Sequence, residues 1–336
     1  MENKLTPGKV TVLIPTYKRA EKLKRAVESV LNQSYRDLKI VISDNASGDE
    51  TENIVTGLIK NDNRIEYFKQ PVNIGMNPNF NFLVSKVSTP FFCFLTDDDY
   101  YLPNFLEDSF SIFKKYPQIM FSVMSAPEIN EAGDLLNDQL NKWPREGYFE
   151  KADSDIMKIV IDGNHPIITA CLFRSDIIKY FIFDPEVGVS SDAPLLYELL
   201  ANYPFAINKV IGLYFIKHSE NLSAMKFNLL EEYSSKVKIW NKILASKRIN
   251  METKQVFLDY KEKALFKYYL KSVASKDKEL SHNIINEIAK DLHTKKNLIK
   301  SIIVFFSRIK IGRSFLSKSI LIFWKTHKLW RKLIDN

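Results

Sequence analysis

The chain has 336 residues, 45% hydrophobic and 26% charged, the composition of an ordinary globular protein with enough length for one large core or a core plus a smaller unit. Two cysteines, Cys93 and Cys171, cannot build a disulfide framework or a thiolate metal cluster, and residues 1–8 lack the apolar core of a secretory signal, so a cytoplasmic, reducing location is expected. The net charge of +8 is unevenly spread: residues 1–230 carry 24 Lys and Arg against 30 Asp and Glu, residues 231–336 carry 24 against 10. Such a shift predicts two regions with different partners, 1–228 and a basic, helical 229–336.

In chain order, short apolar runs alternate with amphipathic segments. Strands are predicted over 10–14, 38–43, 64–68, 91–95 and 119–124, and helices over 20–31, 50–60, 78–87 and 103–116. In the first helix, Leu23, Ala26, Val27, Val30 and Leu31 share one face. Repeated βα units imply a mostly parallel sheet flanked by helices, an α/β fold. Pro127, Gly133, Pro144 and Gly147 punctuate a looser stretch over 126–166, expected as loops above the strand ends. Strands resume at 167–174 and 210–217, around a short helix at 192–202, and helical sequence rich in Lys, Ile and Leu follows residue 227.

The run Asp97-Asp98-Asp99 follows a buried-strand pattern, at the edge where open α/β sheets bind ligands. Three adjacent anions repel, and a hard divalent cation shared with substrate phosphates would relieve them. An acidic loop capping the helix near Pro103 is the alternative. Neither G-x-G-x-x-G nor G-x-x-x-x-G-K-[ST] occurs, which removes the main support for dinucleotide and P-loop sites. The first strand ends instead in Pro15-Thr16-Tyr17-Lys18-Arg19 and the second in Ser43-Asp44-Asn45, neighbours in a parallel sheet. A Tyr ring to stack on and a carboxylate to accept an imide N–H suit a nucleobase such as uracil. Alternatively, Asp44 and Asn45 form a turn and Ser47 caps the next helix.

These segments resemble the family 2 glycosyltransferases, inverting enzymes of GT-A (Rossmann-like) fold that use nucleotide-diphospho-sugars. The resemblance spans about 9–225 and rests on VTVLIPTYKRAEKLKRAVESVLNQSY at 10–35, KIVISDNASGDET at 39–51, NIGMNPNFN at 73–81 and FLTDDDYYLPNFLE at 94–107. SSDAPLLYELL at 190–200 and GLYFIKHSENLS at 212–223 follow in the expected order. It implies nucleotide-sugar contacts by Pro15, Thr16, Tyr17, Arg19, Asp44, Asn73, Gly75, Asp97 and Asp98. It also implies a Mn²⁺ or Mg²⁺ ion held by Asp99, Asp97 and His218. Two departures stand out: Thr96 occupies a position that is often acidic, and Asn79 or a neighbour replaces a basic residue usual after N-x-G.

By the same resemblance Asp192 is the base that takes the acceptor hydroxyl's proton. Its sequence also reads as a helix start, since Ser190-Ser191-Asp192 precedes Ala193-Pro194. His165 is a lesser candidate for the acceptor side. Trp143 reads as a core or loop anchor before a sugar-stacking ring. In the last 38 residues, Phe305, Phe306, Phe323 and Trp324 lie among Lys and Arg, with no run approaching the ~18–20 apolar residues of a membrane span. Interfacial helices on the inner leaflet of the cytoplasmic membrane are expected, a solvated helical cap being the alternative. No nucleic-acid module accompanies the charge. The expected function is inverting transfer from a nucleotide-sugar, a UDP-sugar by preference, to a saccharide or lipid-linked acceptor in surface polysaccharide synthesis. The rivals are a non-catalytic, membrane-tethered nucleotide-sugar-binding protein and a nucleotidyltransferase.

Overall fold

The computed structural model describes residues 9–130, 132–217 and 229–274, with residues 279 and 283. Its elements run β1 (Val10–Thr16), α1 (Ala20–Leu31), β2 (Leu38–Asp44), α2 (Thr51–Asn61), β3 (Ile65–Lys69), α3 (Met76–Val84), β4 (Phe91–Phe94), β5 (Tyr100–Tyr101), α4 (Phe105–Lys115) and β6 (Phe121–Ser125). After them come β7 (Glu128–Asn130), β8 (Leu135–Asn137), β9 (Gly147–Phe149), α5 (Ser154–Ile159), β10 (Cys171–Arg174), α6 (Asp192–Asn202), β11 (Phe205–Ile211), β12 (Leu213–Lys217), α7 (Leu229–Ala245) and α8 (Met251–Ala274).

The main sheet has the order β3-β2-β1-β4-β10-β6-β11-β9, parallel from β3 through β4. β10 then runs antiparallel to both of its neighbours, and β11 returns parallel to β6. Apolar residues fill β1, β2 and β4 because helices cover both faces, and Val12, Ile40 and Cys93 are fully buried. The α1 face read from the sequence is the one that packs, with Leu23, Ala26, Val27 and Val30 inaccessible to solvent. Below β4, Phe92 stacks on Phe173 at 5.4 Å between ring centroids, and Phe183 wedges between Phe80 at 4.8 Å and Phe94 at 5.5 Å. Each buried Phe contributes about 1.5–3 kcal/mol. This cluster fixes the otherwise irregular 181–183 segment to the core.

Thr16 pairs with Asp44 in the β1–β2 register, and Leu95 N–H bonds Leu13 O beyond β4. The carboxyl ends of β1, β2 and β4 therefore open at one place. β1 has β2 on one side and β4 on the other, so the chain order reverses there and leaves a crevice.

Three local expectations change. The loose 126–166 stretch contains the β7–β8 hairpin, β9 and α5. Residues 167–174 form a strand only from Cys171. The strand predicted over 210–217 is two strands in two sheets: β11 belongs to the main sheet, and β12 to a small one ordered β5-β12-β7-β8. Gly212 makes the switch, bonding Ser125 O through its N–H while its own carbonyl accepts from Leu102. A Cβ there would lie 2.7 Å from Phe105 Cδ2 and 2.8 Å from Met124 Cβ. Gly212→Ala is expected to destabilise by about 2 kcal/mol through overpacking, measured as a lower denaturant midpoint at unchanged slope.

The chain divides into two compact units, residues up to 226 with 235–254, and 227–234 with the residues from 255 on. Charge alone draws the border at 228, because composition does not register packing: Trp240 and Ile243 of α7 are buried. In the second unit Tyr268 donates to Glu232 and meets the ring of Tyr233 edge-on. Among the described residues no helix is long and apolar enough to cross a membrane. The Phe- and Trp-bearing basic segment over 299–336 lies outside the described residues, as does His218.

Candidate active site

The site begins with the loop that leaves β1. Lys18 takes a left-handed conformation with φ of 55°, and its N–H donates to Ser47 Oγ at 2.8 Å. This tight turn sends Tyr17 outward, 40% exposed, and brings Arg19 back over the strand ends. Tyr17 is drawn below its ordinary pKa by hydrogen bonding with Asn73 and then Lys18, which leaves an aromatic face at the mouth of the crevice.

Arg19 is the hub of the acidic run. Its Nη1 donates to Asp97 Oδ1 at 3.2 Å and to Asp98 Oδ2 at 2.7 Å. Thr16 Oγ1 donates to the other Asp97 oxygen at 2.8 Å, and Arg25 Nη2 to the Asp98 backbone carbonyl at 2.6 Å. Burial, then the Asp98 charge, pushes Asp97 up to about 6, against the pull of Arg19 and Thr16. The expected grouping of Thr16, Arg19, Asp97 and Asp98 is thus a single hydrogen-bonded cluster. Arg25, which sequence reasoning did not single out, lies in α1 within the 10–35 motif.

Asp99 differs from its neighbours. One oxygen accepts from Thr96 Oγ1 at 2.7 Å and the other from Ile216 N–H of β12 at 3.2 Å, and the residue is wholly buried. Both oxygens face into the protein, tying the acidic loop to the small sheet. A metal ion fits the convergence of Asp97 and Asp98, where a cationic nitrogen already lies within hydrogen-bond reach of both carboxylates, better than it fits Asp99. Among the described residues no group of three or more His, Cys, Asp or Glu side chains is arranged to hold a metal. An ion here would need substrate phosphates to complete its coordination, as Mg²⁺ commonly does.

Burial, then the Asp98 charge, pushes Asp99 up to about 7, from an ordinary value of 3.8. A carboxyl raised in the folded state costs nothing below about 4 and its full penalty above about 7, so its contribution to stability falls as pH rises between them. Asp99→Asn is expected to raise the melting temperature at pH 8 and leave it nearly unchanged at pH 4. Thermal melts at the two pH values measure this.

Asp44 adopts the turn arrangement open to it from the sequence. Its Oδ1 accepts from Ser47 N–H at 2.9 Å and Ser47 Oγ at 2.5 Å, and its Oδ2 from Tyr67 Oη at 2.7 Å. Asn45, read from the sequence as a turn residue beside Asp44, joins the neighbouring pieces. Its N–H donates to Thr16 O, its Nδ2 to Asn73 Oδ1 and its Oδ1 accepts from Ile74 N–H. Asn73 Oδ1 also accepts from Gly75 N–H at 2.9 Å, and Gly75, at φ of 88°, turns the chain into α3. Pro15 is half-buried in β1. The departure at Asn79 has a structural use: its amide is buried and bonds both the Ser43 side chain and backbone, 2.6 and 3.1 Å, beside Asp44.

Asp192 opens α6, partly exposed. Burial of its carboxyl raises it, while the nearby His165 and the backbone N–H groups of Asp192 and Ala193 pull it down. The balance leaves the carboxyl above the ordinary carboxylate range. The His165 ring meets Tyr197 of α6 edge-on at 6.2 Å. Trp143 is an anchor, 2% exposed, with Nε1 donating to Asn164 O at 2.9 Å.

Residues 11–175 match the family model described as Glycosyl transferase family 2. The chain belongs to that family. Among curated relatives, the GalNAc(5)-diNAcBac-PP-undecaprenol beta-1,3-glucosyltransferase of Campylobacter jejuni is 29% identical over 221 residues, 65% of this chain and 69% of its own length. The putative colanic acid biosynthesis glycosyl transferase WcaA of Escherichia coli K12 is 25% identical over 63% of this chain and 74% of its own. The GT-A fold is shared with S. aureus TarS 1–349 in complex with UDP-GlcNAc, at a TM-score of 0.64 and 16% identity over 83% of this chain and 80% of that one. The mannosyltransferase PcManGT of Pyrobaculum calidifontis, solved with GDP-Man and Mn²⁺, superposes at 0.54 with 13% identity over 98% and 89% of the two chains.

Proposed function

We propose that this family 2 glycosyltransferase inverts the anomeric centre of a nucleoside-diphospho-sugar, UDP-linked by preference, as it transfers the sugar to a hydroxyl of a saccharide or lipid-linked acceptor. The observation that carries the reading is the cluster of Thr16, Arg19, Asp97 and Asp98 at the ends of β1 and β4. It offers a cation and two carboxylates where a nucleotide diphosphate enters the crevice. Tyr17 supplies a ring for the base, and Asp44 an acceptor for its edge once its bonds to Ser47 or Tyr67 are exchanged. Asn73 and Gly75 border the same loop.

In this reading the Asp192 carboxylate takes the proton of the acceptor hydroxyl while that oxygen bonds the anomeric carbon. The bond from that carbon to the diphosphate oxygen breaks on the opposite face, so one displacement inverts the centre, through an oxocarbenium-like transition state. Arg19 faces the charge that develops on the departing diphosphate. A divalent cation, Mn²⁺ or Mg²⁺, would be held by Asp98 and Asp97 and supplies further charge neutralisation there when bound. The earlier assignments of metal contacts to Asp99 and His218 are weaker: the first has both oxygens engaged within the protein, and the second lies outside the described residues.

The names of the relatives support a glycan-building role with a polyprenyl-diphosphate or polysaccharide acceptor. The basic 229–336 region, beside anionic lipid on the cytoplasmic face of the membrane, suits that acceptor. The test is calorimetry of UDP, dTDP, GDP and CMP with and without Mn²⁺ on the full chain and on Asp98→Ala. Tight binding of one diphosphate that needs Mn²⁺ and weakens in the variant is the expected result. Absence of binding by all four, in a folded protein, overturns the reading.

A further inference from the structure

The side of α3 that faces away from β2 carries Asn77 and Asn81, one helical turn apart, and both reach into the chain that precedes Asp192. Asn81 clamps the backbone of Phe183: its Nδ2 donates to Phe183 O and its Oδ1 accepts Phe183 N–H, each at 2.8 Å. Asn77, 4% exposed, does the same for the next stretch. Its Nδ2 donates to Asp184 O at 2.9 Å and to Gly188 O at 3.0 Å, and its Oδ1 accepts from Ser191 Oγ at 2.7 Å.

The last two contacts close a ring. Gly188–Ser190 is a single 3-10 turn, and Ser191 N–H returns to Gly188 O at 3.2 Å. Asn77 therefore holds both ends of the turn whose next residue is Asp192. Without it, the 184–187 stretch would keep the Val187 N–H to Asp184 O bond at 3.1 Å, the Glu186 N–H to Asp184 Oδ1 bond at 2.9 Å and the Lys242 pair with Asp184 at 2.7 Å. The 188–191 turn, with Gly188 at φ of 79°, would keep its internal Ser191 N–H to Gly188 O bond and lose its tie to α3. Helix α6 lacks a side-chain cap at Ser191, because the Ser191 hydroxyl is spent on Asn77.

We propose that Asn77 is a positioning residue for the base: it fixes the orientation of Asp192 by locking the 188–191 turn to α3. The same helix starts from Gly75, whose N–H is bonded by Asn73, itself bonded by Asn45 next to Thr16. The helix end that borders the donor site is thereby the one that sets the base on the acceptor side. The inference rests on Asp192 being the base.

Asn77→Ala in the full chain tests it. Hydrogen exchange in peptides covering 184–193 should rise about tenfold or more, from the loss of three hydrogen bonds, with β1 and β2 unchanged and the calorimetric affinity for UDP retained. Turnover, followed as UDP release from UDP-glucose and UDP-GlcNAc, should lose about tenfold to a hundredfold in kcat with KM kept, the cost of a misplaced base. In an Asp192→Asn background the same substitution should cost nothing further, since both act through one carboxylate. Ser191→Ala, which removes only the hydroxyl contact, should repeat the pattern more weakly, and it serves if the Asn77 variant folds poorly. Unchanged exchange over 184–193, or an equal loss of turnover in both backgrounds, overturns the proposal. Full turnover by Asp192→Asn alone would instead remove the base assignment, leaving the exchange result standing as a purely structural clamp.

Discussion

Asp192→Asn is expected to reduce sugar transfer by about 10²–10⁴-fold while leaving nucleotide affinity unchanged, the signature of a lost general base. Asn keeps the size of the side chain and its acceptor oxygen toward the Ala193 N–H, so α6 should start where it does now. What it removes is the ability to accept a proton. Asp192 is raised above the ordinary carboxylate range by burial, an effect that His165 partly offsets. The base works only when ionised, so kcat of the parent enzyme should climb as pH rises through this raised pKa and then level off. That limb should vanish from the residual activity of the variant. A variant that retains full turnover would return the chain to the reading of a nucleotide-sugar-binding protein without catalysis.

Arg19→Ala is expected to be the most damaging change to stability in the site, at about 3 kcal/mol. Removing one member of a buried ion pair leaves its partners charged and desolvated, and that costs more than the pair itself contributes. Here two carboxylates lose a shared charge, since Asp97 and Asp98 are 5% and 7% exposed and both accept from one guanidinium nitrogen, while Thr16 keeps its bond to Asp97. The sign with pH follows from the same groups. Asp97 is already pushed up to about 6, and losing Arg19 removes an opposing pull, so it takes up a proton at pH 5 and much less so at pH 8. The loss in melting temperature should therefore be larger at pH 8. Mn²⁺ should restore part of it, by replacing the missing positive charge, and should stabilise the variant more than the parent. If Mn²⁺ leaves the variant's melting temperature unmoved at pH 8, the convergence of Asp97 and Asp98 is not an ion site, and Arg19 alone serves the diphosphate.

Much of the catalytic region could be read without coordinates. The α1 span follows from apolar periodicity, and β1, β2 and β4 from largely apolar runs, because burial on both faces of a parallel sheet leaves a strong local imprint. Thr16 and Asp44 could be placed at neighbouring strand ends, and Asp97 at the ligand-binding edge of the same sheet, from the βα pattern. The strand count around Gly212 could not: a glycine between two β-rich runs looks like one weakened strand, and only the closeness of Phe105 and Met124 shows why the chain changes sheet.

Within the site, the order of motifs identified the acidic run but not the division of labour inside it. Asp97, Asp98 and Asp99 are equivalent in sequence. They separate in three dimensions because the strand end twists Asp98 toward Arg19 and turns Asp99 into β12, partners 79 and 117 residues away. Asn77 was invisible for a related reason. Its neighbours Met76 and Pro78 mark a helix start and nothing more, whereas its contacts lie more than 100 residues on. Local pattern determined the fold class, the family and the residues at the strand ends. Which carboxylates face Arg19, which is sealed against β12, and what holds the turn before Asp192 were decided by long-range hydrogen bonds, which a buried polar group must find wherever the folded chain provides a partner.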